Sequence, residues 1–294
     1  MKATPDTLRQ IQLRARAWAE VLRLPLRRQR WRGQSGGQVG LGTGSSLEFH
    51  DQRAYQPGDD PRQINWQAYA RTGNYTMKLY QEEVRPLVDL VLDASESLFA
   101  FPAKEQRTLE LLAFALESAL ASAASVRVLA VRGAAFVPLE LDALLSGRWG
   151  AQLAALPAAG AAEPPALSHL PFRAGSLRVL ISDLLFPTDP EPMLSALGQH
   201  QGQALVLAPE CTEESAPDWQ GNYEFVDAES QATQTHRVEP ELLKRYLEAY
   251  ARHFDLWKRA TLKHGIALVR VAAEPEFLDA LRAEGLPSQA LELA

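Results

Sequence analysis

An open, mostly parallel α/β sheet flanked by helices is the fold class this 294-residue sequence predicts, on three observations. Leu87, Val88, Leu90, Val91 and Leu92 form an almost continuous apolar run closed by Asp93, as expected of a strand buried on both faces. Comparable runs at 126–131, 177–181, 204–207 and 267–271 alternate with helical segments at 105–123, 190–199 and 240–263, the pattern of a parallel sheet wrapped by helices. The apolar fraction of 46% and charged fraction of 22% are those of a globular chain able to bury a large core.

The remaining elements follow in chain order. Residues 5–23 place Leu8, Ile11, Ala17, Trp18, Val21 and Leu22 at three- and four-residue steps, which predicts an amphipathic helix ended by Pro25 and the Gly-rich stretch 33–44. A short strand is expected at 47–49. A turn-rich block follows at 51–60, with Pro57-Gly58 as a type II turn, then a short helix within 62–72 and a strand at 75–80. Past the first buried strand, 136–139 reads as a strand hairpinned through Gly133, 141–157 as a weaker helix and 155–165 as an Ala/Pro/Gly connection. Residues 223–226 read as an edge strand and 275–283 as a terminal helix. The expected organisation is an N-terminal helix with a small β-containing extension over 1–83, packed on a core domain over 84–294.

Charge is unevenly distributed. Residues 1–32 hold nine basic side chains against Asp6 and Glu20, a local net of +7 that leaves −13 for the rest of a chain of net charge −6. A solvated helix face with a basic connector accounts for this more simply than a nucleic-acid arm, and no nucleic-acid partner is expected. Cys211 is the only cysteine, so neither an intrachain disulfide nor a cysteine-based metal cluster can form within one chain. The N-terminus lacks the apolar core of a signal peptide. The most apolar stretch, 111–131, is interrupted by Glu117 and Arg127 and reads as a helix feeding a buried strand, so the expected location is cytoplasmic without a transmembrane segment.

The residues from Gly42 to Gly73, with Arg53, Tyr55, Gly58, Asp59, Asp60, Arg62, Ile64 and Trp66 followed by Ala70 and Arg71, and then Asp93-Ala-Ser95-Glu-Ser97, resemble the DUF58 family. The likeness is strongest over about 40–100. Asn65 stands where that family usually has Asp, and Leu98 where it usually has Met. The resemblance implies a von Willebrand A-like (Rossmann-like) domain, a metal-assisted protein-binding role, and partnership with a MoxR-type AAA+ ATPase in complex assembly or maturation. A client protein offering an acidic ligand residue is the other implied partner.

The D-x-S-x-S spacing suits a hard cation. One carboxylate and two hydroxyls at alternate positions of a tight loop after a buried strand can present oxygens to Mg²⁺ or Mn²⁺. Asp93, Ser95 and Ser97 are therefore the expected metal ligands, with Asp183, at the end of the 177–181 strand, as the second carboxylate and Ser182 beside it. The resemblance to von Willebrand A-like domains implies that a complete site also uses a threonine and a second Asp from distant loops, and no threonine lies between Thr108 and Thr188, which leaves serines such as Ser146 and Ser168. Without metal, Asp93 or Ser95 would simply cap the following helix. A metal-dependent hydrolase is the catalytic alternative, with Glu96 as the conceivable base, and a metal-free interaction module is the other.

Arg53, Tyr55, Asp59, Asp60, Arg62, Trp66 and Arg71 form either a recognition surface or a salt-bridged network that fastens the extension, the second fitting the bidentate habit of arginine. The six histidines show no HExxH spacing, and there is no GxxxxGK[ST] phosphate loop, which argues against a zinc hydrolase and against nucleotide binding by this chain. Ser95 lies in no G-x-S-x-G elbow.

Overall fold

The computed structural model describes residues 1–26, 48–81, 85–157 and 163–294. The basic segment 27–32, the Gly-rich stretch 33–44, Leu47 and part of the Ala-rich connection lie outside the described residues. In chain order the elements are helix α1 (Pro5–Ala19), strands β1 (Leu22–Arg23) and β2 (Glu48–Ala54), helix α2 (Trp66–Thr72), strands β3 (Thr76–Gln81) and β4 (Leu87–Asp93), and helix α3 (Pro102–Ala121). Next come β5 (Ser125–Arg132), β6 (Ala135–Leu139), α4 (Leu141–Leu145), α5 (Gly150–Ala154), β7 (Leu177–Ile181), α6 (Glu191–Gly198) and β8 (Gln203–Glu210). The chain closes with α7 (Thr212–Ser215), β9 (Gly221–Val226), β10 (Thr233–Val238), α8 (Pro240–Lys263), β11 (Ala267–Ala272), α9 (Phe277–Gly285) and β12 (Glu292–Leu293).

The central sheet has the order β11-β8-β7-β4-β5-β6, parallel throughout except for β6, which returns antiparallel to β5. The predicted α/β class and the hairpin through Gly133 (φ +52°) are both present, and the arrangement is consistent with a von Willebrand A-like fold. Residues 223–226 differ from expectation. They are not an edge of this sheet but pair with β10 in a separate hairpin, whose alternating exposure leaves it unable to bury both faces.

Helix α3 lies on one face of the sheet and is buried along most of its length. Its outer side is covered by α1, which begins at Pro5 behind the Thr4 cap and buries Leu8, Ile11, Ala15 and Ala19. The arginines of α1 lie on its exposed face, and two of them reach acidic side chains at its edge. Arg14 pairs with Glu110 at 3.4 Å and Arg16 with Glu117 at 3.2 Å, both on α3. On the opposite face Val91, Leu180 and Val206 pack against Leu194, Leu197 and Trp257. Helix α1 therefore belongs to the same compact unit as the sheet (Met1–Arg27 with Leu87–Ala294), whereas Arg28–Pro86 forms a second unit.

Within the second unit, β2 pairs antiparallel with β3 and runs on through Ala54, so the segment read as turn from Asp51 is strand. The turn at Pro57-Gly58 is as predicted, with Gly58 at φ +108° and the Asp59 amide donating to the Gln56 carbonyl at 3.0 Å. Arg53 grips Asp59 through two hydrogen bonds of 2.7 and 2.6 Å, and this guanidinium holds the Asp59 carboxyl below the usual carboxylate range. The Asp60 side chain accepts from the Arg62 amide at 3.0 Å, and Asn65 caps α2 by accepting from the Ala68 amide at 3.2 Å. Arg71 donates to the Gln67 carbonyl, and exposed Trp66 meets the Tyr69 and Tyr75 rings edge-on.

Candidate functional site

The chain leaves β4 toward β5 and β6, then crosses back to place β7 on the other side of β4. Strand order therefore reverses between β4 and β7, and the carboxyl ends of such a strand pair, here called the crevice, are the usual ligand position of open α/β sheets. Asp93 ends β4, and Ser182 and Asp183 follow β7, so the sheet brings the two predicted aspartates into one crevice. The Asp93 carboxylate is fully buried. One oxygen accepts from the Ser95 amide at 3.0 Å and the other from the Ser182 hydroxyl at 2.7 Å. The Ser95 and Ser97 hydroxyls lie 3.2 Å apart, within hydrogen-bond distance of each other. Burial, reinforced by the charge of Asp183, pushes the Asp93 carboxyl up to about 7.

The hydroxyl beside Asp93 is thus Ser182, supplied by the end of β7. Ser146 is remote in role, since it donates to the Asp142 carbonyl of its own helix at 2.6 Å.

Lys104 was not legible as a site residue. It stands two residues after Pro102, in the first turn of α3, with its side chain wholly enclosed. Its ammonium donates to an Asp183 carboxylate oxygen at 2.9 Å and also to Glu214 of α7. Burial alone would lower its pKa, but the Asp183 and Glu214 charges outweigh that and raise it, so it stays cationic. The other Asp183 oxygen accepts from the Leu185 amide at 3.2 Å. Glu214 is pushed up by burial against the opposing pull of Lys104, and its second oxygen meets the Cys211 thiol at 3.4 Å. A lysine in the first turn opposes the helix dipole, and that oddity was the one available sequence signal.

The loop after β4 is also held from outside the crevice. Arg132 donates to the Ala94 carbonyl at 2.7 Å and pairs with Glu96 at 3.1 Å. Glu229, at the tip of the β9–β10 hairpin, accepts from the Ser97 amide at 3.0 Å. The tip is pre-shaped, because Asp227 accepts from the Glu229 and Ser230 amides and from the Ser230 hydroxyl.

The fit of this crevice to Mg²⁺ or Mn²⁺ follows from these partners. Both oxygens of Asp93 and both of Asp183 are engaged, and one of them holds a buried ammonium. A buried ammonium repels a second cation placed beside it, because little solvent is there to screen the two charges. Among the described residues no group of three or more His, Cys, Asp or Glu side chains is arranged to hold a metal ion. With Lys104 in place the residues do not fit a divalent cation. No helix among the described residues is long and apolar enough to cross a membrane.

The model of the family described as "Protein of unknown function DUF58" matches residues 51–255. Uncharacterized protein Mb1516 of Mycobacterium bovis and uncharacterized protein Rv1480 of Mycobacterium tuberculosis are each 30% identical over 231 residues, spanning 74% of this chain and 72% of theirs. Among solved structures, an aerotolerance-related membrane protein from Bacteroides fragilis aligns over 69% of this chain and 98% of its own, at 13% identity and a TM-score of 0.34. BatB from Bacteroides thetaiotaomicron aligns over 70% of this chain and 96% of its own, at 14% identity and a TM-score of 0.33. The matched segment contains the Arg53–Asp59 turn, the Asp93–Ser97 loop, Lys104 and Asp183, and the chain belongs to the DUF58 family.

Proposed function

We propose that this chain is a protein-binding module that receives an acidic side chain of its partner on the loop after β4. The observation that carries the reading is Glu229, a carboxylate brought from 132 residues away onto the Ser97 amide. The same loop, with Arg132 behind it, can receive a carboxylate from another chain once the hairpin tip withdraws. The resemblance noted from the sequence makes a MoxR-type AAA+ ATPase, or a client it remodels, the partner to try first. A hydrolytic role has less support, because Glu96, the base the sequence offers, is ion-paired with Arg132.

A second reading keeps the cation and is motivated by the convergence of Asp93, Ser95, Ser97 and Asp183 at one crevice. In it those four residues would hold Mg²⁺ or Mn²⁺ once Lys104 had left Asp183, and the ion would supply affinity for a carboxylate of the partner. Both readings are tested by measuring binding of the purified MoxR-type ATPase to wild type, Glu229→Ala and Asp93→Ala, with Mg²⁺ and with EDTA. The first reading expects binding that survives EDTA and tightens in Glu229→Ala. Loss of binding in EDTA and in Asp93→Ala would transfer support to the second. A Glu229→Ala variant that binds no better than wild type sinks the docking of an acidic side chain at Ser97.

A further inference from the structure

The disagreement between the loop, which has the spacing of a cation site, and the side chains around it has a definite shape. Lys104 is enclosed, and its ammonium lies between carboxylates from two different crossovers, Asp183 after β7 and Glu214 after β8. Pro102 fixes the start of α3, so the Lys104 side chain is delivered from the helix that follows the Asp93–Ser97 loop itself. An ammonium is a three-donor cation, and here two donors meet carboxylates. The arrangement is oxygen ligands gathered around one positive centre, with that centre covalently tethered to the chain.

We infer that Lys104 is the resident cation of this crevice: its ammonium neutralises Asp183 and Glu214, so that the module is built to work without a divalent ion. Asp93, Ser95 and Ser97 then shape the loop through the Ser182, Ser95-amide and Ser95–Ser97 hydrogen bonds. The inference does not depend on the identity of a partner. It also makes an inverse prediction. Deleting the ammonium leaves two largely buried carboxylates with a third, Asp93, close enough to Asp183 to feel its charge, an oxygen-rich recess suited to Mn²⁺.

The test uses Mn²⁺ as the probe. The full-length protein and its Lys104→Ala variant are titrated with Mn²⁺ by calorimetry and followed by thermal unfolding, with EDTA as the reference. The expected result is no detectable Mn²⁺ binding and no Tm shift for wild type, against a variant of lower Tm in EDTA that binds Mn²⁺ at least tenfold more tightly than wild type. Should Lys104→Ala fail to fold, amine labelling of the native wild type, read by mass spectrometry, decides the matter. Lys104 should remain unmodified both with and without Mn²⁺. One Mn²⁺ bound per wild-type chain, or Lys104 becoming labelled when Mn²⁺ is added, would overturn the inference. Because no partner enters either measurement, failure here is separate from failure of the Glu229 binding test.

Discussion

Asp93→Asn, studied in EDTA, reads the electrostatics of the crevice directly. Asp93 is fully buried, and burial together with Asp183 lifts its carboxyl from the ordinary 3.8 to about 7. The folded state therefore holds this proton more tightly than the unfolded chain does. The resulting stability is complete below about pH 4 and is lost as pH rises through 7. The span corresponds to at most about 4 kcal/mol, since each tenfold change in proton affinity is worth about 1.4 kcal/mol. Asparagine keeps the geometry: its carbonyl oxygen can accept from the Ser95 amide and its amide can donate to the Ser182 hydroxyl, replacing the contacts now at 3.0 and 2.7 Å. Urea unfolding at intervals from pH 4 to pH 8 should show Asp93→Asn gaining on wild type as pH rises, with the gain levelling above pH 7. A mutant less stable than wild type at pH 8, or a difference that does not change with pH, would refute the reasoning. Adding Mg²⁺ should leave the wild-type curve where it was.

Two further outcomes follow from buried partners elsewhere. Asp89, fully buried on β4, accepts from Arg173 Nε at 2.8 Å, the Arg173 amide at 2.9 Å, Ser176 at 2.9 Å and Arg127 at 3.2 Å. Arg173→Ala should cost about 3 kcal/mol in urea unfolding by stranding that charge, and a cost under about 1 kcal/mol would mean Arg127 alone suffices. Cys211 is buried and its thiol is pushed up by burial and by Glu214. Its labelling by a disulfide reagent at pH 8 should be at least about a hundredfold slower in native protein than in denaturant, and comparable rates would contradict the packing.

Periodicity alone carried the α/β architecture. The runs at 87–92 and 177–181 are apolar but for one charged residue each, Asp89 and Arg178, too few to make a solvated face, so they read as interior strands, and the helix over Pro240–Lys263 has the span its sequence predicted. The Pro57-Gly58 turn was equally local, because only a residue tolerant of positive φ satisfies its third position. The hairpin pairing of β9 with β10 was less visible, since β10 is almost wholly exposed and shows no apolar face.

The Asp93–Ser97 loop and Asp183 could be placed beforehand because strand ends set them, and strand ends are local. The identity of the cation next to them could not. Lys104, Asp183 and Glu214 are 79 and 110 positions apart in their pairings, and a lysine code reads the same whether the ammonium is solvated or enclosed. Nor could spacing show that Glu229 would lie on the Ser97 amide. Those outcomes depend on desolvation, which exists only once the crossovers have packed, and desolvation is what turns an ordinary surface lysine into the buried counter-ion of this crevice.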